Sequence, residues 1–158
     1  MQMYNPMMKA RMVYYDRYER TVVNEMSEGI TVFKSMLEYE FYKILEQSPL
    51  IENPTNQIDY EYPLKFRDSS NKIKTWKVDF RVVFHGTTVY LETKSEFYAR
   101  RKQFRDKFQQ VVEVYPNIIL YIVSRDEFAL TTPNRTFNAL TFTEALDTLK
   151  IHANKGRK

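Results

Sequence analysis

The chain of 158 residues predicts an α/β fold, a mixed sheet flanked by helices with a helical extension at its N-terminus. Three observations point there. Trp76, Val78, Phe80, Val82 and Phe84 alternate with Thr75, Lys77, Asp79, Arg81 and Val83, and a second alternation runs from Val89 to Lys94. That period of two marks strands with one buried face. Apolar stripes at helical spacing flank this pair on both sides, and the continuous apolar run Asn117 to Val123 reads as a strand buried on both faces and reached by a helical crossover.

The elements follow in order. Residues 1–29 are rich in Met, Tyr and Arg, and Met8, Met12, Tyr15, Val22 and Met26 fall near helical spacing, so a helix is expected from about Met7 onward. This segment is expected to pack on the domain or on a partner subunit. A second helix is expected over about Thr31 to Gln47, with Ile30, Phe33, Leu37, Phe41 and Ile44 as its apolar stripe and Ser48-Pro49 as its stop. Ile58, Tyr60, Tyr62 and Leu64 suggest a strand before Pro63 and a turn at Asp68-Ser69-Ser70-Asn71. The alternating hairpin comes next. Ser95 is placed to cap a long helix to about Tyr115, lined by Phe97, Phe104, Phe108, Val111, Val112 and Tyr115. Residues 125–140 read as loop with one short strand. Thr141 and Glu144 form a capping box for a last helix to about Lys150, and a basic tail runs from there to Lys158. The organisation is therefore an extension over 1–29, a domain over 30–150 and a tail over 151–158.

The bulk composition narrows the function. With 24 Lys and Arg against 20 Asp and Glu the net charge is +4, a modest bias towards an anionic partner. The absence of Cys removes thiolate metal sites and cysteine nucleophiles, and it fits a cytoplasmic setting. His85 and His152 are the only histidines, one in an expected turn and one in the tail, which argues against a histidine triad or cluster. No run of about 18 apolar residues exists and no signal-peptide pattern opens the chain, so a soluble protein without membrane attachment is expected.

The hairpin carries the chemistry. If His85 and Gly86 alone form its loop, Phe84 pairs with Thr87, Val82 with Val89, Phe80 with Leu91 and Asp79 with Glu92. Opposed Cβ atoms then lie about 4.5–5.5 Å apart, where like charges destabilise a sheet. Two acids held there, with Lys94 beside them, make sense around a cation. A four-residue loop would pair Asp79 with Lys94 instead, and a three-residue loop would separate the acids onto opposite faces. The plainer alternative is a polar sheet face of solvated charges.

These residues resemble the PD-(D/E)XK nuclease superfamily, whose pattern is a helical Glu, a hairpin Asp and Glu-x-Lys on the next strand, here Glu38, Asp79 and Glu92-Thr93-Lys94. The nearer likeness is to the phage endonuclease I type of Holliday-junction resolving enzyme. It is carried by Phe33-Lys34-Ser35-Met36-Leu37-Glu38, Tyr60-Glu61-Tyr62, Asp79-Phe80 and Val89 to Lys94, and covers roughly Phe33 to Ser124. Val78 departs from the Pro usual before the Asp, Ser95 stands in place of a Gly, and the N-terminal segment is long for that family.

The resemblance implies a restriction-endonuclease-like core and phosphodiester hydrolysis on DNA, branched if the phage enzymes are the guide, by a homodimer. It implies Mg²⁺ or Mn²⁺, two ions about 3.5–4 Å apart, bound by oxygen ligands. Asp79 and Glu92 would ligate one ion with the Thr93 carbonyl, Glu38 would serve a second, and Lys94 would position the attacking water. Helical periodicity alone does not choose Glu38 over Glu40, and Glu61 is a further candidate. Arg100, Arg101, Lys102, Arg105 and Lys107 could neutralise flanking phosphates, as could Lys77 and Arg81, or could form ordinary solvated faces. The competing expectations are a transposase-type or restriction-type nuclease of the same superfamily, and a non-catalytic basic nucleic-acid-binding module.

Overall fold

The computed structural model describes residues 12–52, 56–132 and 136–155, and for residues 51 and 52 the backbone alone. They form a mixed α/β protein of two compact units, residues 1–43 and 44–158.

The N-terminal unit is built on strands. β1 (Val13–Asp16), β2 (Thr21–Val23) and β3 (Ile30–Phe33) make a three-stranded antiparallel sheet in the order β2-β1-β3. The expected helix over residues 12–29 is thus corrected to sheet, while its start at Met7 and Met8 lies outside the described residues. β-branched and aromatic runs decide it. Val13-Tyr14-Tyr15, Thr21-Val22-Val23 and Ile30-Thr31-Val32 favour pleated, half-buried backbone. Asp16 ties the first turn by accepting the Tyr18 and Glu19 N–H groups, both at 3.0 Å, and Arg20 (φ 59°) closes it in the left-handed region. The supposed helical stripe does not share a face: Tyr15 is buried, whereas Met12, Val22 and Met26 are exposed. Tyr15 packs instead with Phe33, Tyr39 and Tyr42, its ring centroid lying 5.5–6.2 Å from theirs.

The first helix, α1 (Met36–Glu46), begins five residues later than expected, because Ile30 and Phe33 belong to β3. Ser35 sets its start by accepting the Glu38 N–H at 3.2 Å, and the Glu38 carboxylate accepts the Lys34 N–H at 3.2 Å. The helix ends as predicted ahead of Ser48-Pro49, and a short turn of helix follows as α2 (Pro49–Glu52).

The C-terminal unit holds a four-stranded sheet of β4 (Gln57–Arg67), β5 (Ile73–Phe84), β6 (Thr87–Thr93) and β7 (Leu120–Val123), in that spatial order. The first three pair antiparallel, and β7 runs parallel to β6. β4 continues through Pro63, where a strand end was expected. It is an edge strand, so the missing N–H costs no ladder bond. The Asp68–Asn71 turn forms as predicted, with Asp68 accepting the Ser70 and Lys72 N–H groups.

The expected helix over 95–115 is two helices, α3 (Glu96–Ala99) and α4 (Lys102–Val114), because Arg101 adopts an extended backbone (φ −68°, ψ 140°). That residue breaks the phase of the apolar stripe. Phe104, Phe108, Val111 and Val112 stay buried, while Phe97 turns outward and is 67% exposed. β8 (Phe128–Thr131) and β9 (Thr136–Ala139) form a small antiparallel pair where one strand was expected. The Thr141–Glu144 capping box opens α5 (Phe142–Lys155), Thr141 N–H donating to the Glu144 carboxylate at 3.0 Å. α5 runs past Lys150 into the expected tail, and the Tyr121 hydroxyl lies 2.9 Å from His152 Nε2.

One core of this unit lies between α4 and the sheet, joining Leu64, Phe66, Trp76, Val78, Leu120 and Ile122 to Phe104, Phe108, Val111 and Val112. Phe80, Val82, Phe84, Val89 and Leu91 are buried but stand outside it. The single buried face expected for β5 is therefore corrected: Trp76 and Val78 face α4, and Phe80 onward face the other way. Arg81 confirms the inversion, stacking at 3.9 Å over the ring of Tyr62, the residue opposite Val78. The change occurs at Asp79. The β4–β5 ladder keeps one register on both sides, Tyr60↔Phe80 and Tyr62↔Val78, but the Glu61–Asp79 pairing between them is interrupted, and Glu61 has φ 55°. A non-glycine residue in the left-handed region is uncommon, and here it stands where the side chains change face.

Candidate active site

The loop joining β5 to β6 is the two-residue one. His85 (φ 40°) and Gly86 (φ 89°) are both left-handed, as a type I′ hairpin turn requires. Phe84 pairs with Thr87, Val82 with Val89 and Phe80 with Leu91, the register read from the sequence. Continued by one step, it brings Asp79 and Glu92 together, and there backbone pairing gives way to side-chain bonds. The Asp79 N–H donates to Glu92 Oε1 at 3.1 Å. Asp79 Oδ2 accepts the Thr93 N–H at 2.9 Å and the Thr93 hydroxyl at 2.6 Å.

Both carboxyls are buried, Asp79 at 8% and Glu92 at 2% exposure. Burial pushes the Asp79 carboxyl well above its ordinary range, and the adjacent Glu92 charge pushes it further, against the pull of the Thr93 donors and Lys94. Glu92 is raised as well, chiefly by burial, and Lys94 opposes the rise. Lys94 Nζ lies 3.5 Å from Glu92 Oε2 and 5.5 Å from the Phe104 ring centroid, and its side chain is one-third exposed. One end of the site thus reaches solvent.

This donor set suits a hard divalent cation. Every candidate ligand atom is oxygen, and the mutual repulsion and desolvation of the two acids are only partly offset by the Thr93 donors and Lys94. Asp79 and Glu92 are the residues that would hold Mg²⁺ or Mn²⁺. Thr93 takes part through its N–H and hydroxyl, fixing the Asp79 carboxylate.

The other predicted residues fall into distinct settings. Glu38 belongs to the N-terminal unit, where it is buried on the first turn of α1, and Glu40 is half-buried on the same helix. Glu61 stands at the interrupted pairing opposite Asp79, half-buried. Arg81 is committed to Asp59, its guanidinium 2.6 Å from the carboxylate. Lys77 is exposed between two core residues. Arg100 pairs with Glu96 at 2.8 Å and Lys102 with Asp106 at 2.7 Å, both on the surface. Arg101 lies over the Phe97 and Tyr98 rings, and Arg105 is exposed.

Lys107 is the surprise, for it does not belong with that outer cluster. It is half-buried, its Nζ 5.2 Å from the centroid of Trp76, and the charges acting on it are those of Glu92, Lys94 and Asp79. The signal was its spacing, since Phe104, Lys107 and Phe108 share one helix face.

Compared with known proteins, the chain matches no family model and no curated protein.

Proposed function

We propose that this chain is a divalent-metal-dependent DNA endonuclease with a PD-(D/E)XK site in a restriction-endonuclease-like core, acting on branched DNA as a homodimer. One observation carries the reading: the buried Asp79–Glu92 pair, with Lys94 3.5 Å from Glu92, held where the ladder of an otherwise regular hairpin gives way to side-chain bonds. Burying two like charges costs several kcal/mol unless something of opposite sign joins them. The sheet order, three antiparallel strands and a parallel fourth reached through α3 and α4, supports the same reading. The net charge of +4 and the exposed Arg101 and Arg105 suit a polyanion.

The residues divide the work. Asp79 and Glu92 bind the metal, and Thr93 holds Asp79 in one rotamer. The bound ion supplies Lewis-acid stabilisation of the phosphoryl oxygen and a more acidic water. Lys94 positions the attacking water and offsets the charge that develops as its oxygen bonds to phosphorus and one ester oxygen leaves. The attacking water gives up its proton to solvent, and the leaving oxygen takes one from solvent. Glu38 enters through the resemblance alone.

The test is cleavage of four-way junction, flap, duplex and single-stranded DNA side by side with Mg²⁺ or Mn²⁺. Wild type should cut the junction preferentially. Lys94→Ala and Asp79→Asn should each lose at least about 10³-fold in rate while retaining DNA binding, a loss typical of removed transition-state stabilisation. Preference for duplex ends would favour a transposase-type or restriction-type specificity. Binding without cutting under either metal would leave a nucleic-acid-binding module.

A further inference from the structure

α4 delivers a second ammonium group to the site. Trp76 meets Phe104 and Phe108 edge-on, with centroids 6.2 and 6.4 Å apart, and the two lysines lie over this aromatic floor. Lys94 sits over Phe104 at 5.5 Å, and Lys107 over Trp76 at 5.2 Å. Their settings differ in one respect. Lys94 has Glu92 at 3.5 Å, whereas among the described residues no carboxylate lies within ion-pair distance of Lys107. The neighbouring surface cations of the same segment, Arg100 and Lys102, are paired with acids on their own helices. A lysine that served only to cover Trp76 would carry its charged head out into water. Lys107 instead is half-buried, with its Nζ over the Trp76 ring, and the charges of Glu92, Lys94 and Asp79 act on it.

We propose that Lys107 is a catalytic residue of this site: with Lys94 it forms a two-ammonium seat that grips the non-bridging oxygens of the substrate phosphodiester beside the Asp79–Glu92 pair. The proposal rests on the nuclease reading and assigns the roles within it. Lys94, tied to Glu92, serves the water. Lys107, without a carboxylate of its own, serves the phosphate. The aromatic floor suits the task, because ring faces attract an ammonium without neutralising it. Its charge remains available to an incoming anion.

Two measurements test the seat. The first compares the cleavage rate and the junction affinity of wild type, Lys107→Met and Lys107→Arg, with affinity measured in Ca²⁺. Lys107→Met should cut about 100-fold more slowly at saturating DNA with affinity changed less than threefold, and Lys107→Arg should recover most of the rate, the pattern of a contact made to the reacting phosphate. The second follows lysine side-chain NMR signals during titration with dimethyl phosphate in Mg²⁺. The Lys94 and Lys107 signals should move together, and that of the exposed Lys150 should stay. If wild type cuts DNA, yet Lys107→Met cuts as fast and the wild-type Lys107 signal is unmoved by phosphate, the seat is wrong and the nuclease stands. If wild type cuts no substrate but both signals respond, the seat survives as an anion site and the nuclease reading falls. An unmoved Lys107 signal in a protein that does not cut removes both.

Discussion

The two ends of one hairpin are built on opposite terms. Toward its turn, Phe80, Val82 and Phe84 of β5 pair in register with Leu91, Val89 and Thr87 of β6, and all but Thr87 are buried. Toward its open end the ladder yields to side-chain bonds, and the buried positions are Asp79, Glu92 and Thr93. The first end gains stability from every residue it buries, and the second loses it. Only five residues of β5, Phe80 to Phe84, separate the turn from the carboxylate pair, so the rigid ladder serves as the base against which the costly end is held.

The comparison is broken most severely at the regular end. Phe80 is fully buried and packs its ring 5.5 Å from that of Tyr60. Phe80→Ala should cost about 3–5 kcal/mol of unfolding free energy, the usual toll of truncating a core aromatic. Denaturant unfolding reads this directly. A loss below about 1 kcal/mol would mean that this half of the hairpin is not the rigid element.

The regular end is also the legible one. Alternation and a His-Gly dipeptide set its register, and the two-residue turn needed nothing further. Local signals of this sort also gave the Thr141–Glu144 cap, the buried strand at β7 and the end of α1. The interrupted pairing at Asp79 had no such signal. A left-handed Glu61 is unfavourable in isolation and persists only because surrounding structure holds it, so no local propensity announces it. The break at Arg101 likewise carries no Gly or Pro. Lys107 was visible as a residue of the buried helix face, but a helix face does not say which strand it will meet. The N-terminal strands were legible in their β-branched and aromatic runs; scattered methionines at helical spacing outweighed them. Ser35 and Glu38 form the same kind of cap at the start of α1 as Thr141 and Glu144 at that of α5, but the apolar stripe through Ile30 and Phe33 drew the expected start back to Thr31.

At the costly end the sign of a substitution should reverse. Asp79 and Glu92 both have carboxyls displaced upward, so the folded protein holds protons that the unfolded chain releases. Their contribution to stability is full below the ordinary carboxylate range and is lost as pH rises through the folded-state values. Asp79→Asn removes one charge while keeping an oxygen to accept the Thr93 donors. It should raise stability at pH 7–8 by on the order of 1–2 kcal/mol, as loss of a strained functional group commonly does. Near pH 3, where both acids are protonated in either state, the two proteins should converge. Mg²⁺ should stabilise wild type at neutral pH and leave Asp79→Asn unmoved. Thermal melts across pH with and without Mg²⁺ check all three, and an Asp79→Asn protein less stable than wild type at pH 8 would show that the pair is not under charge strain.

The smallest effect is expected on the outer surface of α4, and it sharpens the contrast between cations that are spent and cations that are held ready. Lys102 pairs with Asp106 at 2.7 Å, but the two side chains are 83% and 53% exposed, and an exposed pair four residues apart on a helix contributes about 0.3–0.5 kcal/mol. Lys102→Ala should therefore change stability by less than about 0.5 kcal/mol. Its effect on DNA, if the outer face contacts flanking phosphates, should be electrostatic and blind to structure. Affinity for junction and duplex should fall by the same factor, and the slope of log K against log salt should shrink by about 1, the amount one phosphate contact contributes. Cleavage of bound junction should proceed at the wild-type rate, because Lys102 sits on the solvent side of the helix, while Lys94 and Lys107 lie over the aromatic floor beside the carboxylates. A Lys102→Ala protein that lost cleavage as Lys107→Met is expected to would erase the distinction between the two faces of α4.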